Sequence, residues 1–190
     1  VCGRQRGSLA GLCQLRRGDG ARVSEEGFEG FSGYGFSLKD EKGRFAIPVD
    51  FRADLKASSG GKTICLDVHP EWECVSAFGL SRKRDFPALI EQARADALAA
   101  NEKFDRLTWQ AQLNAFDRVA FDDSGRFIMP PDLVETYGID DALYWHSVGD
   151  HIVVFTPETV YSSGPAFMRA RCRRLEREAR AKAAAKGAGK

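Results

Sequence analysis

The sequence has no long apolar run, no closely spaced cysteine pair and no glycine-rich phosphate loop, and each absence excludes a class of protein. No apolar run approaches the ~20 residues that a membrane-spanning helix needs, so we expect a soluble chain without a membrane partner. The five cysteines are odd in number and include no C-x-x-C pair, so neither a disulfide framework nor a structural zinc site is indicated. Without a phosphate loop or a metal motif, no cofactor is implied, and a reducing cytoplasm is the default location.

The two ends of the chain differ in composition from its centre. Residues 1–30 are rich in Gly and Arg, lack an apolar period and begin with Val1, which predicts a disordered extension. Residues 161–190 are predicted to form a basic helical tail. From Met168 onward the tail has nine basic and two acidic residues, a balance of +7, which leaves −6 for residues 1–167. The chain is therefore polarised although its formal net charge is only +1.

One short motif occurs twice. The stretch "DEKGRFAIP" begins at Asp40, and "DDSGRFIMP" begins at Asp122, a constant offset of 82 residues. The Asp, Gly, Arg, Phe and Pro of the two stretches all match at this offset, which indicates an internal duplication. Each copy reads as strand, strand, short helix, strand, strand, over residues 31–84 and 119–160. In the second copy, Gly138 is expected to end the short helix in a left-handed conformation.

The pattern predicts an α+β fold in which the two copies pair into one closed barrel. A four-stranded unit of this size is too small to bury both faces of its sheet, so the copies are expected to close around a common core. Helices are expected between the copies, over residues 85–118, with Asn101 capping the second helix. One apolar stripe is predicted along these helices, at Phe86, Ile90, Ala93, Ala97, Ala100, Phe104, Leu107 and Ala111.

Most residues of the repeated motif have a structural explanation. The Asp is expected to accept backbone N–H bonds within the turn, the Gly to take a positive φ, and the Phe to point inward. Arg44 and Arg126 are not required for a turn. Each guanidinium either reaches a phosphate or a guanine edge, or forms a salt bridge with Asp40 or Asp122 of the facing copy.

The paired signatures resemble a known family. The stretches "FSGYGFSLKDEKGRFAIPVDFRADL" and "FDDSGRFIMPPDLVETYGI" are similar to the MraZ family, which is built from two SpoVT/AbrB-like swapped-hairpin repeats, and the similarity covers about Phe31 to Val160. The resemblance implies a bacterial, cytoplasmic, nucleoid-associated transcriptional regulator of the division and cell-wall gene cluster. It also implies a ring-shaped homo-oligomer that binds short direct repeats of double-stranded DNA upstream of its own operon, with no small-molecule substrate.

The resemblance also implies which residues contact DNA. By matching position, Lys42, Arg44 and Arg126 are DNA-binding candidates, and Arg52 on the following helix is a weaker one. Two positions at which the family has basic residues are occupied here by Asp50 and Val134. Because phosphate contacts supply much of the affinity of DNA-binding proteins, these replacements predict weaker binding unless basic groups cluster locally. The +7 tail is either a source of such contacts or, as is more usual for a charged helix, a solvated face.

Two other kinds of function are less well supported by the residues. Cys65, Asp67 and His69 alternate along one predicted strand, but a strand cysteine is usually a small buried hydrophobe, so we predict neither a metal site nor an enzyme. Residues i and i+4 of a strand lie ~13 Å apart, too far for Cys65 and His69 to act together as nucleophile and base. An antitoxin-like protein-interaction module remains the alternative, although such proteins typically carry a single repeat.

Overall fold

The structure is a computed structural model that describes residues 29–187 of the chain. It has an α+β fold, which confirms the predicted class. The first half comprises strands β1 (Tyr34–Leu38) and β2 (Phe45–Ala46), helix α1 (Val49–Ser59), and strands β3 (Thr63–Val68) and β4 (Val75–Phe78). The extension predicted for residues 1–30 lies, up to residue 28, outside the described residues.

A 3-10 helix over Leu80–Arg84 leads from the first half into the connecting helices α2 (Phe86–Ala99) and α3 (Arg106–Leu113). The second half then repeats the order of the first. There follow strands β5 (Asp117–Ala120) and β6 (Arg126–Phe127), helix α4 (Pro131–Tyr137), strands β7 (Ala142–Ser147) and β8 (Ile152–Phe155), and helices α5 (Pro157–Ser163) and α6 (Ala166–Gly187). Gly138 ends α4 with φ 59°, in the left-handed conformation that the sequence predicts.

Six strands form one antiparallel sheet in the order β1-β7-β8-β4-β3-β5. The first strand of each copy pairs with a strand of the other copy, β1 with β7 and β5 with β3. The last strands of the two copies, β4 and β8, pair at the centre. The order of strands is therefore symmetric about the β8–β4 pair, and each copy depends on the other for the hydrogen bonds of its first strand.

The second strands of the copies form a separate two-stranded ribbon. Phe45 of β2 lies opposite Phe127 of β6, and both side chains are buried in the main core. Each of these strands has only two residues, so the ribbon has too few backbone groups to join the free edges of the larger sheet. Within residues 29–187 that sheet ends at β1 and β5, and the closed barrel expected from the sequence is not seen as a continuous hydrogen-bonded cylinder.

The sheet has a buried layer on each face. Leu143 and Trp145 of β7 point into the main core, where Phe51 of α1 and Leu133 of α4 pack against them. The intervening Tyr144 points to the opposite face. This alternation is what a strand buried on both faces requires, because successive side chains point in opposite directions.

Helices α5 and α6 cover half of that opposite face. Val160 of α5 and Met168 and Cys172 of α6 are buried there against Tyr144. No helix among the described residues is long and apolar enough to cross a membrane.

The connecting helices cover the other half, but less completely than the sequence predicts. Phe86 and Ile90 of α2 are buried, whereas Leu107 of α3 is 76% exposed, so the single apolar stripe does not extend into α3. The predicted cap at Asn101 is also wrong. Asn101 has φ 57° and follows the end of α2, and the side chain of Asp105 caps α3 by accepting from the backbone N–H groups of Leu107 and Thr108. Asp105 directly precedes α3, the position from which a side chain reaches the N–H groups of the second and third helical residues, whereas Asn101 lies four residues earlier.

Candidate nucleic-acid interface

The two Asp-x-x-Gly-Arg turns have the same backbone structure. In the first, Oδ1 of Asp40 accepts from the backbone N–H groups of Lys42 and Arg44, each at 2.9 Å. In the second, Oδ1 of Asp122 accepts from Ser124 and Arg126, again at 2.9 Å. In each turn, the carboxylate therefore serves as the acceptor for two backbone N–H groups of that turn.

The glycine of each turn has the positive φ that the sequence predicts. Gly43 has φ 74° and Gly125 has φ 76°, and their N–H groups donate to the carbonyl oxygens of Asp40 and Asp122. The backbone hydrogen bonds lower the pKa of both carboxyls, to about 2 for Asp40, where the Arg44 N–H contributes most and its guanidinium adds to the effect. Both side chains are thus carboxylates at neutral pH.

The arginines that follow the two glycines have different surroundings. Nε and Nη2 of Arg44 donate to Oδ2 of Asp40 at 3.0 and 2.8 Å, and Nη1 lies 3.8 Å from Oδ2 of Asp122. The nearest carboxylate oxygen to Arg126 is Oδ2 of Asp122, at 4.0 Å from Nη1. The side chain of Arg44 is 27% exposed and that of Arg126 is 46% exposed. Arg44 is thus a member of an ion pair, while the fork of Arg126 is more open to an incoming ligand.

Arg52 lies behind the second turn rather than at its tip. Its Nε donates to the carbonyl oxygen of Ile47 at 2.7 Å, and its side chain fills the space beside Gly125, where an added Cβ would come within 2.4 Å of Nε. The backbone N–H of Ile47 in turn donates to the carbonyl oxygen of Gly125. Arg52 therefore braces the second turn against the end of β2.

The equivalent contact is missing in the other copy. Val134 occupies the position that corresponds to Arg52, and it packs against the main core. An added Cβ on Gly43 would meet nothing within 4 Å. The first turn is therefore held by its own Arg44–Asp40 pair, and the second by Arg52. Asp50 is exposed in the first turn of α1, so the acid at this position faces solvent near the first motif.

A groove of about 550 Å³ lies beside the first turn, and Arg126 of the second turn and the end of α6 also line it. Among the predicted residues, it brings together Lys42, Arg44 and Arg126, while Arg52 is not part of its lining. Within the described part of the chain, the ammonium of Lys42 has no hydrogen bond or ion pair. The groove thus gathers cations from both copies, with the carboxylates of Asp40 and Glu41 beside them.

The groove also contains two lysines that are not among the DNA-binding candidates named from the sequence. Lys39 precedes the first motif, and Lys186 comes from the last turn of α6, more than 140 residues away. Lys39 could have been found by its position next to the motif. Lys186 could not, because its place depends on how α6 packs across the sheet.

Cys65 of β3 and His69, which directly follows that strand, have contacts typical of structural residues rather than of a reactive or metal site. Cys65 is buried between Phe78 and Phe86, and burial raises the pKa of its thiol to about 11. Nδ1 of His69 accepts from the backbone N–H groups of Glu71 and Trp72, and burial lowers the pKa of this histidine to about 4. Over residues 29–187, no three His, Cys, Asp or Glu side chains are placed to hold a metal ion.

The fold and the groove together define a class of protein. It is an internally duplicated α+β chain whose copies exchange strands and present two Asp-x-x-Gly-Arg turns at one cation-rich groove. No family model matches the chain. Individual relatives do match. The chain is 33% identical over 111 residues to a "Transcriptional regulator MraZ" of Azotobacter vinelandii, an alignment that covers 53% of this chain and 62% of the relative.

Two further relatives extend the alignment. A "Transcriptional regulator MraZ" of an Anaeromyxobacter species is 30% identical over 116 residues, 61% of this chain and 76% of the relative. The protein of the same name from Rhodospirillum rubrum is 26% identical over 125 residues, 65% and 77% of the two chains. The chain belongs to the MraZ family. It spans less than two thirds of the length of the Azotobacter relative and of the Pseudomonas relatives, at 62% and 63%.

Proposed function

We propose that this chain is a DNA-binding transcriptional regulator whose two Asp-x-x-Gly-Arg turns contact double-stranded DNA. The observation that carries the proposal is the meeting of Lys42, Arg44 and Arg126 from the two copies in one groove. The relatives that match the chain are named transcriptional regulators. No catalytic role is proposed.

The four candidate residues have different roles in this proposal. Arg126 reads a base edge, because its planar fork is exposed and only loosely paired. Lys42 contacts a phosphate as a point charge on a flexible stem. Arg44 links the two turns through Asp40 and Asp122, and its remaining N–H groups donate to the DNA. Arg52 acts as a positioning residue that fixes the second turn.

The fold and assembly that we propose follow from the resemblance. We interpret the exchange of first strands between the copies as the SpoVT/AbrB-like swapped-hairpin arrangement, with copies over residues 31–84 and 119–160, connecting helices over 85–118 and a tail from 161. The exposed apolar side chains of Leu98 and Leu107 support an interface between subunits of a ring-shaped homo-oligomer. Such a ring would set several turns at regular intervals along short direct repeats.

The proposed target is the DNA upstream of the chain's own operon, within the division and cell-wall gene cluster, so the site of action is the bacterial cytoplasm and nucleoid. Binding is measured by fluorescence anisotropy with that duplex and with a scrambled duplex of equal composition. Arg126→Ala should weaken binding to the specific duplex by about 5- to 100-fold, the range for loss of one base contact. Arg94→Ala, which removes a cation on α2, is the control and should leave binding unchanged.

A second candidate is an antitoxin-like protein-interaction module with eroded DNA binding. The ion pair that occupies Arg44 and the acid at Asp50 favour this reading. The same binding experiment distinguishes the two candidate functions. A wild-type chain that does not distinguish the upstream duplex from the scrambled one would contradict sequence-specific DNA binding, and a discrete complex with a protein partner would then support the second candidate.

A further inference from the structure

The last turn of α6 reaches the groove that lies beside the first motif turn and includes Arg126 of the second. Ala183 and Lys186 line that groove together with Lys42, Arg44 and Arg126. From this placement we propose that the end of α6 is a third DNA-contacting element, in which Lys186 binds a backbone phosphate. The inference rests on the proposed function and assigns the phosphate contact to a part of the chain outside the repeated motif.

The position of α6 is fixed by contacts along its length. At its start, Met168 and Cys172 are buried against the sheet. On the same stretch of the helix, the guanidinium of Arg171 stacks 4.6 Å from the centre of the Tyr34 ring, and Arg174 donates to the Tyr34 hydroxyl. The helix therefore lies along β1, the edge strand that leads into the first turn.

An ion pair aligns the end of the helix with the motif. Nη1 of Arg180 donates to Oδ2 of Asp141 at 2.8 Å, and Nε donates to Glu176 on the same helix at 2.9 Å. The backbone carbonyl oxygen of Asp141 accepts from the N–H of Lys39, the residue before the first motif. Six residues of α-helix rise about 9 Å, so Lys186 follows this anchor by less than two turns.

Lys186 has no charged partner in the part of the chain that the structure describes. Its side chain is exposed, and no hydrogen bond or ion pair to it occurs within residues 29–187. A lysine in the last turn of a helix also interacts favourably with the helix dipole. The dipole interaction does not require Lys186 to face the groove. If Lys186 acted through the dipole alone, its removal would affect the helix and not DNA binding, whereas a phosphate contact predicts a loss of DNA affinity.

The proposed contact would compensate for the family's missing cations. Asp50 and Val134 replace two basic residues near the turns, and Lys186 returns one positive charge to the same groove. A flexible ammonium is suited to a phosphate, whereas the planar fork of Arg126 is suited to a base edge. Lys186 should therefore contribute affinity without sequence preference.

Point variants test the inference better than truncation. Removing residues 168–190 would delete Met168 and Cys172, which are buried in one cluster with Tyr144, and would therefore disturb the core. Lys186→Ala removes only an exposed side chain. Arg177→Ala is the matched control, because it removes one cation from the same helix, and nine residues place it about two and a half turns away, on the opposite side. Both variants should keep the thermal midpoint and helix content of the wild type.

The readout is the salt dependence of binding to the upstream and scrambled duplexes. Lys186→Ala should weaken binding to both duplexes by the same factor, about 3- to 10-fold, and reduce the slope of log K against log salt by about 0.9, the value for one phosphate contact. Arg177→Ala should change neither quantity. Lys186→Arg should retain most of the slope, since it keeps the charge.

Two outcomes would overturn the inference separately from the proposed function. If the wild type prefers the upstream duplex but Lys186→Ala has the same affinity and slope as Arg177→Ala, the end of α6 lies outside the DNA site and the turns alone bind. If Lys186→Ala binds more tightly, the lysine opposes DNA binding. If the wild type does not distinguish the duplexes at all, the proposed function fails, and the inference that rests on it fails as well.

Discussion

The guanidinium of Arg44 lies between two carboxylates that occupy equivalent positions in the two copies. It donates two hydrogen bonds to Asp40 of its own turn, and its Nη1 is 3.8 Å from Oδ2 of Asp122 in the other turn. Within residues 29–187, the carboxylate contact of the equivalent arginine, Arg126, is the one of 4.0 Å with Asp122. Arg44 therefore lies close to the acids of both turns, whereas Arg126 lies close to that of its own turn alone among the described residues.

Replacing Arg44 should destabilise the fold more than replacing Arg126. Arg44→Ala leaves the Asp40 carboxylate without its guanidinium partner and removes the connection to the second turn. We expect the thermal midpoint to fall by about 2 to 4 °C for Arg44→Ala and by less than 1 °C, roughly the scale of an exposed side chain, for Arg126→Ala. Thermal unfolding followed by circular dichroism at neutral pH measures both. Equal midpoints for the two variants would show that the ion pairs do not contribute to stability.

The Asp40 carboxylate should make stability depend on pH in the acid range. Its folded pKa is about 2, below the ordinary value of 3.8, so its contribution is present above pH 3.8 and is lost as the pH falls toward 2. Asp40→Asn should be less stable than the wild type at neutral pH, and the difference should shrink between about pH 4 and pH 2. Urea unfolding at a series of pH values measures it. Glu41→Gln, on the exposed tip of the same turn, serves as the control; a difference for Asp40→Asn that stays constant down to pH 2 would contradict the assignment.

A buried hydrogen bond connects the two copies through the core. Nε1 of Trp145 on β7 donates to Oγ of Ser37 on β1 at 3.0 Å, and both side chains are buried. Ser37→Ala leaves the indole N–H without a partner and should cost about 1 to 3 kcal/mol of unfolding free energy. Trp145→Phe removes the donor, so Ser37→Ala should cost much less in that background. Urea unfolding of the four chains followed by circular dichroism gives the coupling energy, and strictly additive costs would show that the bond does not contribute.

The local structure of the motif could be predicted from sequence because its causes are local. Asp40 and Asp122 accept the backbone N–H groups expected of them, and Gly138 ends α4 as expected. The break between the connecting helices is predicted correctly, but α3 is capped by Asp105 and not by Asn101. The four- and three-residue spacing predicts one apolar stripe along both helices, and the exposure of Leu107 shows that the stripe does not continue into α3.

Long-range relationships could not be predicted in the same way. Arg52 fills the space beside Gly125 of the second turn, whereas the equivalent Val134 packs against the main core and the space beside Gly43 stays open. The two turns therefore have different surroundings, although their local sequences match. The pairing of β1 with β7, and hence the open sheet, depends on contacts between residues about 110 positions apart. Sequence periodicity contains no information on which of two similar strands a third will join.

The two motif glycines offer a matched test of the asymmetry between the copies. Gly43 and Gly125 have nearly the same φ, 74° and 76°, so an alanine at either position has the same backbone strain, about 1 to 2 kcal/mol. An added Cβ at Gly43 meets nothing within 4 Å, but at Gly125 it would come within 2.4 Å of Nε of Arg52. That nitrogen donates to the carbonyl oxygen of Ile47, so Gly125→Ala must also break this hydrogen bond.

Gly125→Ala should therefore cost about 1 kcal/mol more than Gly43→Ala, the net value of one hydrogen bond. The excess should disappear when Arg52 is already absent, because the Cβ then has room. The test is urea unfolding of both glycine variants in the wild-type and Arg52→Ala backgrounds, analysed as a double-mutant cycle. An excess that persists in the Arg52→Ala background would show that the second turn is strained for a reason other than Arg52, and the bracing role assigned to that arginine would be wrong.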